Sequence, residues 1–228
     1  MIISARTIKV TTTSGVAVIW LDRQKARNAM DTSMMSELEE ALASLDGKRS
    51  IRAVVIAGQG TDFCSGKDIS RVVRPGRGRT TADESEVMAM ARLLERLDVM
   101  KKATVARIHG TAQGCALGLI AACDIAVAAL DSEFCAPEWG LDPTSASIAP
   151  YLIRAMGERQ CRRYLLTGER FTAAEAYRIG LVHELASPEE LDARVNEILG
   201  HLLANEVQAL PLAKENIFKS ARKDRSRD

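Results

Sequence analysis

Apolar positions along the chain recur with two different periods. The run from Gly15 to Leu21 is rich in Val, Ile and Trp and reads as a buried strand. Asp31 or Ser33 then stands in capping position ahead of Met34, Leu38, Ala41, Leu42 and Leu45, which recur at helical spacing until the turn signal Asp46-Gly47. Ile51 to Ala57 is strand-like again, with Gly58 and Gly60 marking a turn. A β-α-β opening of this kind predicts an α/β fold.

The pattern breaks between Ser70 and Glu86. Arg71, Arg74, Arg77 and Arg79 surround Pro75, Gly76 and Gly78, which predicts an exposed loop, either merely solvated or a basic lid near phosphates. Val87 to Leu97 reads as an amphipathic helix, Thr104 to Ile108 as a short strand, and Ile125 to Ala129 as another. Between those strands, Ala112 to Cys123 is nearly uncharged and reads as a helix buried on most sides. After Pro150 the spacing predicts helices over Tyr151–Met156 and Glu158–Leu166. Thr172 is placed to cap Ala173–Arg178, with Glu175 at the capping-box position and Gly180 at its end. Pro188 is expected to open a helix reaching about Asn205, and the charged tail from Lys219 is expected to fray. These elements divide into a core over 1–185 and a short C-terminal helical segment over 186–228.

Composition narrows the function classes. Of the 228 residues, 46% are apolar and 27% charged, which is globular and not disordered. A net charge of +1, with basic and acidic residues interspersed, gives no reason to expect a nucleic-acid partner. The five cysteines are odd in number and form no C-x-x-C pair, so neither a disulfide framework nor a zinc site is expected. His109, His183 and His201 are dispersed and lack metal-ligand spacing. The N-terminus lacks a signal pattern, and the longest nearly uncharged run, Thr111 to Cys123, is too short to span a bilayer. A cytoplasmic setting without membrane association is the resulting expectation.

Two glycine-containing turns carry the candidate chemistry. Gly60 to Ile69 follows a strand and fits neither the Rossmann nor the Walker pattern. His109 to Gly118 joins a strand to the buried helix. Glycine permits close backbone approach, and first-turn amides lack intrahelical acceptors. Aimed at a pocket, such amides stabilise a negative oxygen. By composition alone, each turn is equally an ordinary structural one.

The motifs themselves are more specific. Asp22-Arg23 through Asn28-Ala29 is similar to a D-R-x-x-x-x-N-A block, and Phe63-Cys64-Ser65-Gly66-Lys67-Asp68 to F-C-[AS]-G-x-D. Gly110 to Ala116 with Cys123-Asp124-Ile125, then Phe134 to Glu138, then Leu166-Thr167-Gly168-Glu169 through Gly180-Leu181-Val182 complete five blocks in order. Over roughly residues 15 to 185 the chain resembles the enoyl-CoA hydratase/isomerase (crotonase) family. Ala106 to Gly110, Gly118 to Ala126 and the Pro150 to Tyr164 region look like its methylglutaconyl-CoA hydratase-like branch.

The resemblance implies a spiral of ββα units, stacked into two roughly perpendicular sheets with flanking helices. It implies an acyl-CoA thioester as substrate, with coenzyme A part of that substrate, no separate cofactor and no metal, in lipid or fatty acid metabolism. It also implies assembly into a homotrimer or hexamer, and C-terminal helices longer than those of this chain, which bears on activity and assembly alike.

Family roles carry over residue by residue. The amides of Ser65 and Cys115 are expected to hold the thioester oxygen. Cys115 stands where the family usually has glycine; it is strained if φ is positive there and acceptable if it opens the helix, and the second reading is favoured. Its thiol reads as a small buried group in preference to a nucleophile. Gly118 occupies the place of the first glutamate of the family's hydratases, whereas Glu138 keeps the second. Hydration proceeds most easily with two carboxylates, and a double-bond shift needs one. The missing first carboxylate argues against a standard short-chain hydratase, whereas the branch resemblance implies hydration of a 2-enoyl-CoA through a stabilised enolate with Glu138 as acid/base. A Δ3,Δ2-enoyl-CoA isomerase using the single glutamate and a non-catalytic acyl-CoA-binding homologue are the alternatives. Asp142 either supplies the missing carboxylate or, preferably, caps the turn before Pro143, and Asp124 reads as a structural acceptor. The coenzyme A moiety is expected along Ala26 and Cys64, Ser65, Lys67, Asp68 and Ile69. Arg23, Lys25 or Arg27 would meet its phosphates or be plain surface charge.

Overall fold

The computed structural model describes residues 2–68, 81–136 and 144–225, with side chains for 5–68, 84–136 and 144–221. Strands β1 (Ile2–Ser4), β2 (Ile8–Thr13) and β3 (Val16–Leu21) form an antiparallel meander. Helix α1 (Thr32–Gly47) then crosses to β4 (Ala53–Gly58), which pairs parallel to β3. Helix α2 (Thr81–Asp98), strand β5 (Ala103–Ile108), strand β6 (Thr111–Gln113), helix α3 (Cys115–Ala122), strand β7 (Ile125–Ala129) and strand β8 (Glu133–Cys135) follow. The chain closes with α4 (Ser145–Met156), α5 (Glu158–Thr167), β9 (Phe171–Thr172), α6 (Ala173–Arg178), β10 (Glu184–Ala186), α7 (Leu191–Ala204) and α8 (Ala209–Arg225). The main sheet has the order β1-β2-β3-β4-β5-β7-β10, and a small second sheet has the order β6-β8-β9. This is the expected α/β class.

Strand periodicity sorts the core into two layers. Ile19, Ile56, Ala106 and Ala126, matched across successive strands, share one face with Val54, Ile108 and Ala128. Met34, Leu38, Leu42, Met90, Leu94 and Leu119 from α1, α2 and α3 cover that face. Ala53, Val55, Val105, Val127 and Ala129 point the other way, onto Leu191, Val195, Ile198 and Leu199 of α7. Every residue of β4 is buried, which explains its unbroken apolar run. The small sheet is held beneath α5 by Phe134 stacked on Phe171 at 5.6 Å and Tyr164 at 4.4 Å from Phe171. Among the described residues, no helix is long and apolar enough to cross a membrane.

Several boundaries differ from expectation. Helix α2 begins at Thr81, not Val87, so Thr81 to Glu86 is helical; the preceding basic stretch at 69–80 lies outside the described residues. The buried helix starts at Cys115 because Thr111–Gln113 finds strand partners in β8. Helix α4 begins at Ser145 and carries Pro150 inside it, where it gives up one intrahelical bond. Helix α8 continues past Lys219 to Arg225, anchored by Lys214 on the Lys102 carbonyl (3.0 Å) and the Asp124 carboxylate (2.7 Å). The boundary expected at 185/186 falls inside β10. Both N-caps form, Asp31 accepting from the Met34 amide at 2.8 Å and Thr172 from that of Glu175 at 3.3 Å, while the Glu175 carboxylate bonds Tyr164 and Arg178.

Candidate active site

Three backbone turns meet at the edge between the sheets, and two side chains tie them together. After β3, a single 3-10 turn over Gln24–Ala26 leads into Arg27 and Asn28, both left-handed with φ of 50° and 55°. Asparagine is among the few residues that tolerate this region. Asn28 is fully buried; its Oδ1 accepts from the Arg23 amide (3.0 Å), and its Nδ2 donates to the carbonyls of Gln59 (2.8 Å) and Asp62 (2.9 Å). The Arg27 guanidinium donates twice to the Asp62 carboxylate, at 2.9 Å each, and also reaches Thr111 Oγ1 at 3.2 Å. Asp62 further accepts from the Thr61 hydroxyl and the Thr111 amide. The hydrogen-bonded Arg27 is the main cause that holds this carboxyl far below the usual carboxylate range. Sequence reading did not single out Asp62, although an acid beside Gly60 and two residues before Cys64 was its available signal.

The second turn is threaded between its neighbours. Cys64 pairs with β6 through Cys64 N–H to the Thr111 carbonyl (3.1 Å) and Gln113 N–H to the Cys64 carbonyl (2.9 Å). Met30 N–H donates to the Gly66 carbonyl (2.7 Å), and Asp68 N–H to the Met30 carbonyl (3.0 Å). In such a parallel bridge the central residue, here Lys67, turns its own N–H away from Met30. The Ser65 amide does not match its expected role: it donates to the Arg27 carbonyl at 3.0 Å, and its hydroxyl points to the Ala26 carbonyl at 3.3 Å. That hydrogen is committed to holding the first turn.

The third turn faces the second. Gly114 adopts φ 52° and ψ −117°, a conformation that disfavours a side chain, and its amide donates to the Cys135 carbonyl at 2.9 Å. A Cβ on Gly66 would stand 3.0 Å from the Gln113 carbonyl oxygen, and one on Gly114 would be 3.8 Å from the Gly66 Cα. The two turns are therefore in backbone contact. Cys115 opens α3 and is not among the residues with positive φ, so the strained alternative falls away. Its thiol lies against that of Cys64, both fully buried, and that contact lowers the Cys64 pKa despite burial.

The cations expected at phosphates are mostly committed elsewhere. Arg23 donates to the Ala29 carbonyl and to Asp68 at 2.9 Å, with Asp31 at 3.4 Å. The Lys67 ammonium, on a segment expected to meet coenzyme A through its backbone, is paired with Glu86 at 2.6 Å. Arg27 is half-exposed but engaged with Asp62. Lys25, beside Ala26, is exposed. Asp124 accepts from the Thr104 amide and hydroxyl and from Lys214, a structural acceptor as read. His109 meets the Gly60 carbonyl and His183 accepts from the Ala126 amide. Ile69, Glu138 and Asp142 lie outside the described residues. Among the described residues no group of three or more His, Cys, Asp or Glu could hold a metal ion.

Gly118 lies on α3 three residues beyond Cys115 and is buried. The space beside it is filled: a Cβ there would stand 2.9 Å from Ile148 Cγ2 and 3.4 Å from Leu94 Cδ1. A groove of about 560 Å³ lies at the opposite end of α3, between Ile120–Asp124 and α8.

Comparison with known proteins gives the same outline. The profile of a family described as enoyl-CoA hydratase/isomerase matches residues 11–227. The chain is 30% identical over 202 residues to a crotonyl-CoA hydratase of Syntrophomonas wolfei, covering 87% of this chain and 76% of that one. It is 33% identical over 214 residues to a 4-chlorobenzoyl coenzyme A dehalogenase of Arthrobacter, covering 92% and 77% respectively. Among solved structures, Pseudomonas aeruginosa AtuE superposes with a TM-score of 0.89 at 34% identity, covering 95% of this chain and 84% of that one.

Proposed function

Because the chain belongs to the enoyl-CoA hydratase/isomerase family, we propose that it hydrates a 2-enoyl-CoA thioester whose carbonyl oxygen sits between the Gly66 and Gly114 turns. The observation that carries this reading is the backbone contact of those turns at the N-terminus of α3. Two relatives of different reaction, a crotonyl-CoA hydratase and a 4-chlorobenzoyl coenzyme A dehalogenase, have coenzyme A thioesters in their names. A thioester site is what such proteins have in common.

The Cys115 amide, in the first turn of α3, donates from one side. From the other, the Lys67 amide replaces the one expected at Ser65, since it is directed away from Met30 while that of Ser65 is bonded to Arg27. Addition of water at the β-carbon builds enolate charge on the thioester oxygen. Two fixed amides stabilise that charge more than they stabilise the ground state. Glu138, in the Pro137-Glu138 pair, exchanges the proton at the α-carbon. Ala26 and the 64–68 backbone line the coenzyme A arm, and exposed Lys25 meets its phosphates.

One observation favours a second reading. The apolar filling beside Gly118 crowds out a carboxylate at that position, and a single acid/base suffices for Δ3,Δ2-isomerisation. Saturated, 2-enoyl and 3-enoyl CoA thioesters offered in parallel, with products separated by mass and retention time, decide between them. A 3-hydroxyacyl-CoA product supports hydration, and 2-enoyl from 3-enoyl without hydration supports isomerisation. Failure to bind or turn over any thioester refutes both.

Exposed Leu212 and Ile217 on α8 support self-association as a trimer or hexamer. Light scattering at micromolar concentration tests this, and a monomer mass counts against it.

A further inference from the structure

Hydration as proposed above has one carboxylate, Glu138, and needs a group to take the proton of the attacking water. Glu86, on α2, is a partly buried carboxylate that the proposed reaction does not yet use. It lies 2.6 Å from the Lys67 ammonium, with the two side chains 16% and 8% exposed. Taking two charges largely out of water is costly, so such a pair is a poor staple for stability alone.

Its height along the helices is informative. Helices α2 and α3 run side by side in the same direction: Leu94 packs at the level of Gly118, and both C-terminal ends line one groove. Glu86 precedes Leu94 by eight residues, about 12 Å along the axis, and Cys115 precedes Gly118 by three, about 4.5 Å. Glu86 therefore stands about 7.5 Å beyond the start of α3, on the side to which the first-turn amides point. It shares the stripe of Met90 and Leu94, both fully buried. Its ion pair also fastens it to Lys67, whose N–H is directed away from Met30 and which the reading above assigns to the thioester oxygen.

We propose that Glu86, positioned by Lys67, is the second carboxylate of hydration and accepts the proton of the water that adds to the β-carbon. The assignment rests on the acyl-CoA reading above. The water oxygen bonds to the β-carbon while its proton passes to the Glu86 carboxylate. The π pair of the double bond moves into an enolate on the thioester oxygen. The enolate then collapses to the thioester as its α-carbon takes a proton from Glu138. One water has been added; Glu86 ends protonated and Glu138 ionised, and exchange with solvent resets both.

The test uses the full chain and two rates. Hydration of a 2-enoyl-CoA requires both carboxylates. Deuterium exchange from solvent into the α-carbon of a saturated acyl-CoA requires the amides and one acid/base group. Glu86→Gln is expected to lower hydration by about a hundredfold or more while exchange falls by less than about tenfold, and Glu86→Asp recovers part of the hydration. Hydration by Glu86→Gln within about fivefold of the parent overturns the assignment. So does an equal fall in both rates, which marks a structural staple, and so does a parent that exchanges without hydrating. If Glu86→Gln does not fold, Glu86→Asp decides by the same split, and equal losses overturn the proposal. A parent that neither exchanges nor hydrates defeats the acyl-CoA reading itself, so the two failures are distinguishable.

Discussion

Ile148 occupies the space that any side chain at Gly118 would need, with its Cγ2 2.9 Å from where a Cβ would stand. Position 118 is thus not an empty socket for a carboxylate but one side of a closed apolar contact between α2, α3 and α4. Gly118→Glu would restore a carboxylate at the place of the family's first glutamate, but the space is taken. The substitution should cost about 3 kcal/mol or more, from overpacking and from burying a charge among apolar groups. Chemical denaturation will measure it, and a concurrent assay should show no gain in hydration. Adding Ile148→Ala should recover part of the lost stability, because it removes the atoms that clash.

Glu138 carries the proton chemistry in the proposed function. Glu138→Gln keeps the shape of the side chain and removes the base. Turnover should fall by about a hundredfold to ten-thousandfold, with acyl-CoA affinity by calorimetry little changed, since the backbone amides remain. Unaltered turnover would move the role to Asp142, to be tried as Asp142→Asn.

The Arg27–Asp62 pair predicts acid sensitivity of a definite sign. The Asp62 carboxyl is held below its ordinary value, chiefly by hydrogen bonds from Arg27. Its stabilisation is therefore fully present above the unfolded carboxylate pKa of about 3.9 and is lost as pH falls toward the folded value. Asp62→Asn should cost about 2 kcal/mol at neutral pH, discounted for the half-exposed Arg27. The same variant should show a shallower loss of stability below pH about 4 than the parent does. Urea midpoints across that range will show whether the curves converge.

Asn28 joins two turns through one buried side chain. Asn28→Ala removes three hydrogen bonds, strands the Gln59 and Asp62 carbonyls, and places a less tolerant residue at φ 55°. A loss of about 3 kcal/mol is expected. Asn28→Gly should lose about 1 kcal/mol less, because glycine accepts the left-handed backbone. Equal midpoints for the two variants in thermal melts would show that backbone conformation contributes little there.

The sequence by itself determined the class and the core, because periodicity reports burial directly. Met34, Leu38, Leu42 and Leu45 mark the buried stripe of α1, and Ile125 to Ala129 marks β7 to the residue. The order of motif blocks located the two turns. The tertiary structure decided what those turns present. Ala112 and Gln113 read as the start of a helix until β8 supplies strand partners, and β10 is too short to signal itself before β7 pairs with it. Whether an amide is committed depends on a distant carbonyl: Arg27, 38 residues earlier, takes the one at Ser65. Ion pairs obey the same rule. Arg23 reads as a candidate phosphate ligand until the fold brings Asp68 and Asp31 to it. Local spacing fixes which way a side chain leaves its own element, but hydrogen bonds and charges are satisfied by groups far along the chain, and only the folded arrangement names them.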